Sequence, residues 1–579
     1  MMSNETLIRF DELEGFSDLL ERLRGEPAQI PISLPRSVRL PFMAALQQGL
    51  QKPLVFITSK ADRLQSMYEE FNFWSKDGRN YIFAEPAPLF YEKINWGRDT
   101  RRDRMETLVA LAQGFLPNRA EGNYPEVIFT SVKSLMTRSV PRRDFLMACS
   151  TLKTGSINNV DALCRKWMEI GYNRAELVTG AGQFSRRGGL VDVWPMHLEF
   201  PVRIDFFGDE VDSIRTFDPA SQRSVQVVES VFIPPASEVI GKINLENEDP
   251  GQALVEFNLP LAYKQPASLL DFLPKGAIIL LDNNASLQVT SEEIEEQALK
   301  LRKEAVDVHS IPSDFPLPYT TWSEISDAMT RFSAIDLGFP LSDEVHPLSH
   351  AFSPGARFGS HLTDLFAFIS RAADNGSRLT IVSKQIGRLK EVGGARAAEL
   401  ADSQVLSYID GSLNAGWEVR YPNGKTEILL TDSEIFGWER PRPRKMRARS
   451  FEGPEISYAD LKPGDWVVHV DYGIGRFAGL VQRTIEGVER DFLLIKYADD
   501  DQLFVPVHQA DRLSQYIGPD ERTPHPTRLG GKDWVTAKEK VREAVKEVAA
   551  DLLELYAKRQ TVKGYAYKND TEWQHILEM

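Results

Sequence analysis

At 579 residues the chain exceeds what a single hydrophobic core organises, so several domains are expected. Its 42% hydrophobic and 26% charged residues are those of a soluble globular protein, and a net charge of −15 excludes nonspecific nucleic-acid binding by the chain as a whole, leaving only local contacts. The only cysteines, Cys149 and Cys164, exclude a disulfide framework. No apolar run approaches the ~18 residues of a membrane span and MMSNETLIRFDELEG is no signal peptide, so a cytoplasmic, membrane-free protein is expected.

Taken in chain order, residues 1–147 read as α/β. LVFITS (54–59) and VIFTS (127–131) are short buried strands, and the first leads into a helix over Lys60–Phe73. Residues 148–235 change to α+β: a helix near Val160–Ile170, then strands Gly189–Trp194 and Val202–Phe207 with a turn at Gly208-Asp209. Residues 236–350 return to mixed α/β, with AIILLD (277–282) as a strand and Ser291–Ala305 as a charged amphipathic helix. A further small α/β unit is expected over 356–440, from LTIVS (379–383) and EILLTD (427–432). A basic linker comes next at 441–456. The surrounding ERPRPRKMRARS (439–450) is a solvated connector, or more sharply a strip that touches nucleic acid.

Residues 457–525 carry the densest turn signals. Pro463-Gly464-Asp465 opens a turn, and Trp466, Val468 and Val470 then alternate with Val467 and His469 as in a half-buried strand. Gly473, Gly475, Gly487 and Asp499-Asp500-Asp501 mark further bends, which predicts a small closed β-barrel. A barrel this small has no cleft for chemistry and suits partner binding. Gly473-Ile-Gly475-Arg-Phe-Ala478 matches a dinucleotide fingerprint, which needs a helix from its second glycine. Gly479, Val481, Thr484, Ile485 and Gly487 are poor helix material, so a cofactor site is excluded. Finally, residues 530–560 space Val541, Val545, Val548, Leu552 and Leu555 as one face of a long helix.

No catalytic residue, metal ligand or cofactor site is expected. The nine histidines are scattered without zinc spacing, and the Asp499–Asp501 run lacks the pattern of a calcium loop. The chain reads as a binding scaffold rather than an enzyme.

DWVVHVDYGIGRFAGL followed by LLIKYADDDQLFVPV resembles the Tudor-like barrel shared by CarD-type transcription regulators and the bacterial transcription-repair coupling factors. The resemblance implies docking on the β subunit of RNA polymerase by strand addition at an exposed edge. That edge is expected at Phe477, Leu480, Val481, Gln482 and Arg483, with core-filling roles for Phe477 and Val481 as the alternative. GAGQFSRRGGLVDVWP and PVRIDFFGDEVDSIRTFD (180–218) resemble the UvrA-binding domain of UvrB and of the coupling factors. This implies UvrA contacts by Arg186, Arg187, Arg203, Asp205 and Phe207. The three arginines are expected as one cationic patch, with Phe206 inward and Phe207 outward.

UvrB itself carries a phosphate-binding loop, whereas GEPAQIPISLPRSVRLPFMAALQQG here has no Gly-Lys-Ser/Thr. The α/β stretches therefore resemble a degenerate, non-hydrolysing UvrB body (1–147 and 236–350) with the UvrA-binding domain inserted. The order of parts is similar to the front of a coupling factor, with residues 530–579 as the helix leading to an absent ATP/Mg-driven motor that would engage double-stranded DNA. In that family the motor end covers the UvrA-binding face at rest. Two alternatives stand beside this reading: a CarD-type regulator acting on polymerase and promoter DNA, and a UvrB-like ATP-dependent helicase.

Overall fold

The computed structural model describes residues 8–437 and 463–515, apart from 60, 76–78, 93–95, 116–124, 220–221, 241–258, 339–345, 470–471, 486–487, 499–500 and 507–512, together with Arg528 and Thr536. The expected basic linker and, Thr536 apart, the expected C-terminal helix lie outside the described residues. The chain divides into two units, residues 1–451 and 452–579.

The first unit is built on a six-stranded sheet in the order Gln29–Pro31, Ser333–Asp336, Ile278–Leu281, Leu54–Thr58, Val127–Ser131, Asn80–Phe83, every neighbouring pair parallel. Stretches on either side of residues 148–235 thus share one sheet. The central strands are continuous apolar runs because both faces are covered. Val55, Ile57, Ile128 and Ile279 enter one core, while Leu54, Phe56, Val127, Phe129 and Ile278 enter another. Burying each such side chain contributes roughly 1.5–3 kcal/mol. The helix expected over Ser291–Ala305 runs from Asn284 to Asp307. It starts earlier because the Asn283 side chain accepts the Ser286 N–H at 2.8 Å and caps it.

Between these stretches sits a second six-stranded sheet, ordered Ser224–Val227, Glu210–Phe217, Val202–Phe207, Leu190–Val193, Gln183–Arg187, Asn173–Arg174. Its neighbours are antiparallel except the last pair. The segments entering and leaving it, Ser150–Lys153 and Ser230–Ile233, pair as an antiparallel stem. One face holds Phe184, Val191, Val193, Ile204, Phe206 and Ile214, buried with Leu163 and Trp167 of the helix Val160–Glu169 in the same core. Past the stem, Glu238 meets Arg104 of the helix Arg98–Gln113 in a fully buried two-pronged ion pair, at 2.5 and 3.0 Å. Removing either partner would strand a charge in the interior, so this contact fixes where the chain returns to the parallel sheet.

A smaller mixed sheet completes the unit. Arg378–Ser383 lies parallel to Leu406–Asp410 and Thr426–Thr431, and antiparallel Trp417–Arg420 and Phe352–Pro354 extend it. The second unit is a five-stranded antiparallel sheet ordered Gln502–Pro506, Val488–Lys496, Gly473–Ile485, Trp466–His469, Leu513–Gln515. Val467, Phe477, Leu493, Ile495 and Val505 form its core. Gly473-Ile-Gly475-Arg-Phe-Ala478 lies wholly within one of these strands and opens no helix.

Candidate protein-interaction site

The inserted sheet has one face packed on a helix and another that carries charge. On the second face, register places Ser185, Asp192, Arg203, Arg215 and Val227 in one row across five strands. The neighbouring row is Arg187, Leu190, Asp205 and Ser213. Asp192 is the hub. Only 1% of its side chain is exposed, yet it accepts Arg203 Nε at 2.8 Å and Arg203 Nη2 at 3.0 Å, and Arg187 Nη2 at 2.8 Å. Such two-pronged charge-assisted pairs fix direction as well as charge. Hydrogen bonding to Asp192 raises the Arg203 pKa above the ordinary arginine value despite partial burial. Arg203 also donates to the Gln222 side chain at 2.9 Å and stacks 4.3 Å over the Phe217 ring. Asp205 accepts Ser213 Oγ at 3.0 Å and Arg215 Nη2 at 2.5 Å.

The expected single patch of three arginines is not what the sheet makes. Arg186 is directly opposite Val191 on the helix-covered face, where it pairs with Asp161 of the helix Val160–Glu169. Consecutive strand residues point to opposite faces, so Arg186 and Arg187 cannot share one. Arg203 is on the charged face but only 13% exposed. The accessible guanidinium groups there are Arg187, 48% exposed, and Arg215, 35% exposed. The same alternation buries Phe206 and leaves Phe207 82% exposed beside the Gly208 turn, where φ is +64°. Arg215 and Asp192 were missed by sequence reasoning. A lone acid inside the apolar Leu190–Val193 strand, flanked in space by arginine-bearing strands, was the available signal.

In the second unit, Trp466–His469 pairs with Gly473–Ile485 only as far as Arg476. Phe477 then exchanges backbone hydrogen bonds with Gly464 and Asp465, at 2.7 and 2.8 Å. From Ala478 onward the strand is paired, among the described residues, only on its Val488–Lys496 side. Of the expected docking residues, Phe477 is buried opposite Ile495 and belongs to the core, which removes its side chain from the contact set. A register irregularity between Phe477 and Gly479 resets the alternation beyond it. Leu480 is exposed, Val481 is half-buried opposite Phe492, and Arg483 lies 4.1 Å over the Phe504 ring. Gln482 pairs in register with Asp491.

The crevice at the carboxyl ends of the parallel sheet, where α/β folds place nucleotides, is occupied from within. Arg39, 6% exposed, donates to the backbone carbonyls of Leu34 at 3.2 Å, Asp282 at 2.7 Å and Leu337 at 2.8 Å, and pairs with the Asp282 carboxylate. Burial lowers the Arg39 pKa from its ordinary value, with Asp282 opposing that shift. Thr58 Oγ1 donates to the other Asp282 oxygen at 3.2 Å. No cluster of metal-ligating side chains occurs among the described residues.

Fold and surface define a multidomain α/β protein with an open charged sheet face in its first unit and, among the described residues, a strand paired on one side only in its second. Residues 151–239 match the UvrB interaction domain family, and residues 461–517 match the CarD-like/TRCF RID domain family. The chain is similar to the transcription-repair-coupling factor of Bacillus subtilis (strain 168), 26% identical over 622 residues covering 98% of this chain and 52% of that protein. That of Mycobacterium tuberculosis (strain CDC 1551 / Oshkosh) is 28% identical over 97% of this chain and 50% of its own length, and that of Staphylococcus aureus (strain MRSA252) 26% identical over 99% and 52%. The chain is similar to transcription-repair-coupling factors along nearly all its length, and spans about half the length of the curated relatives it matches.

Proposed function

We propose that this chain is an adaptor in transcription-coupled DNA repair, docking on the RNA polymerase β subunit through residues 457–525 and recruiting the excision-repair ATPase UvrA through residues 148–235. The observation that carries the reading is the open charged face of the inserted sheet, within the segment that matches the UvrB interaction domain. There Arg187 and Phe207 stand exposed over an otherwise neutralised network. Arginine and aromatic side chains dominate binding hot spots, and charge contrast against an acidic chain steers encounter.

In this reading the second unit is a Tudor-like barrel, and the strand from Ala478 to Ile485 is its docking edge, adding to a sheet of the polymerase. Residues 1–147 with 236–350 are a degenerate UvrB-like body, 356–440 a small α/β domain and 530–579 the connection to an ATP-driven translocase. Arg39 filling the crevice supports a body that holds no ATP. The setting is cytoplasmic, and no described helix is long and apolar enough to cross a membrane.

The test is direct binding of the chain to purified UvrA and, separately, to RNA polymerase. Binding to both is expected. Binding to polymerase alone would favour the CarD-type reading, and DNA-stimulated ATP hydrolysis would favour the helicase.

A further inference from the structure

We infer that the partner of the inserted sheet is held by two exposed cations on strands far apart, Arg187 and Arg215, with Phe207 on an intervening strand at the Gly208 end and Val227 at the margin, while Arg203 and Asp192 act from beneath as positioning residues. The inference rests on the proposed UvrA contact and specifies its chemistry.

Arg187 and Arg215 lie on strands three steps apart in the sheet and in neighbouring rows, which at ~4.8 Å per step separates their backbones by at least about 14 Å. One carboxylate cannot serve both. The partner must therefore present two acidic groups at comparable spacing, with an apolar recess for the Phe207 ring. Each cation is tethered at one point by an internal carboxylate, Arg187 by Asp192 and Arg215 by Asp205, and both stay accessible. Internal pairing orders these long side chains before contact, which lowers the entropy lost on binding. Val227, opposite Arg215 on the outermost strand, is also exposed and extends the apolar margin. Arg203 is largely covered, and Asp192 is shielded from any partner. Their influence must pass through the direction they give Arg187.

The experiment measures association and dissociation rates of the full chain with purified UvrA over a salt series. Arg215→Ala should weaken binding about tenfold, as truncating a hot-spot arginine does, and flatten the salt dependence of the association rate. Arg215→Lys should fall between that variant and the parent chain, because it keeps charge and loses the fork. Asp192→Asn should weaken binding without flattening the salt dependence, and should add nothing in an Arg187→Ala background. Thermal melting of each variant separates these effects from misfolding. Parent-like binding by a folded Arg215→Ala would overturn the inference while leaving the UvrA reading intact. Failure of the parent chain to bind UvrA would overturn both.

Discussion

The crevice of the parallel sheet and the charged face of the inserted sheet use the same side chain in opposite ways. Arg39 is buried and every contact it makes is internal: three backbone carbonyls and the carboxylate of Asp282. Arg187 has one internal contact, to Asp192, and about half of its side chain stays in solvent. Burial decides the difference. A guanidinium taken out of water must have its donors satisfied by the protein, and then has none left for a partner. One held at the surface by a single carboxylate is oriented and still available. A site is thus silenced or kept open by how deeply the fold seats its arginine.

The largest effect that could break this comparison is at Arg39. Arg39→Ala leaves Asp282 without its ion pair and should cost about 3–5 kcal/mol of unfolding free energy, read by denaturant titration, with UvrA binding unchanged in the folded fraction. A cost below about 1 kcal/mol would mean the crevice is not closed by this residue. Asp192→Ala should affect both properties. With Arg187 losing its internal partner and the largely covered Arg203 left with Gln222 and the Phe217 ring, it should cost about 2–3 kcal/mol in stability and also weaken UvrA binding. Phe207→Ala should reverse the Arg39 pattern. At an exposed position it should change stability by less than about 0.5 kcal/mol yet weaken UvrA binding by about 2 kcal/mol, near thirtyfold. The smallest effect is expected at the free strand of the second unit. Because main-chain pairing supplies much of the affinity in strand addition, Leu480→Ala should weaken polymerase binding only a few-fold. Leu480→Pro, which removes a backbone donor, should do more.

Part of this was legible in the sequence. Apolar runs at 54–59, 127–131 and 277–282 could be read as buried strands because a doubly covered parallel strand is apolar at every position. Alternation along IDFF was enough to turn Phe207 outward once Phe206 was inside. The same rule, applied to the adjacent pair Arg186 and Arg187, would have split the expected patch. Arg215 and Asp192 could not be found that way, because their roles depend on register across neighbouring strands, which no single strand records. Arg39 was invisible for a similar reason: its partners, Asp282 and Leu337, come from the far side of a long insertion. For Phe477 the sequence left edge and core both open, and its burial opposite Ile495, a pairing no single strand records, selects the core.

The most direct test of the adaptor reading immobilises RNA polymerase and asks whether it retains purified UvrA. Retention should require this chain, and Arg187→Ala should weaken capture of UvrA about tenfold while the chain itself stays bound to polymerase. UvrA retained equally without the chain, or lost together with the chain on Arg187→Ala, would contradict two separate docking surfaces on one scaffold.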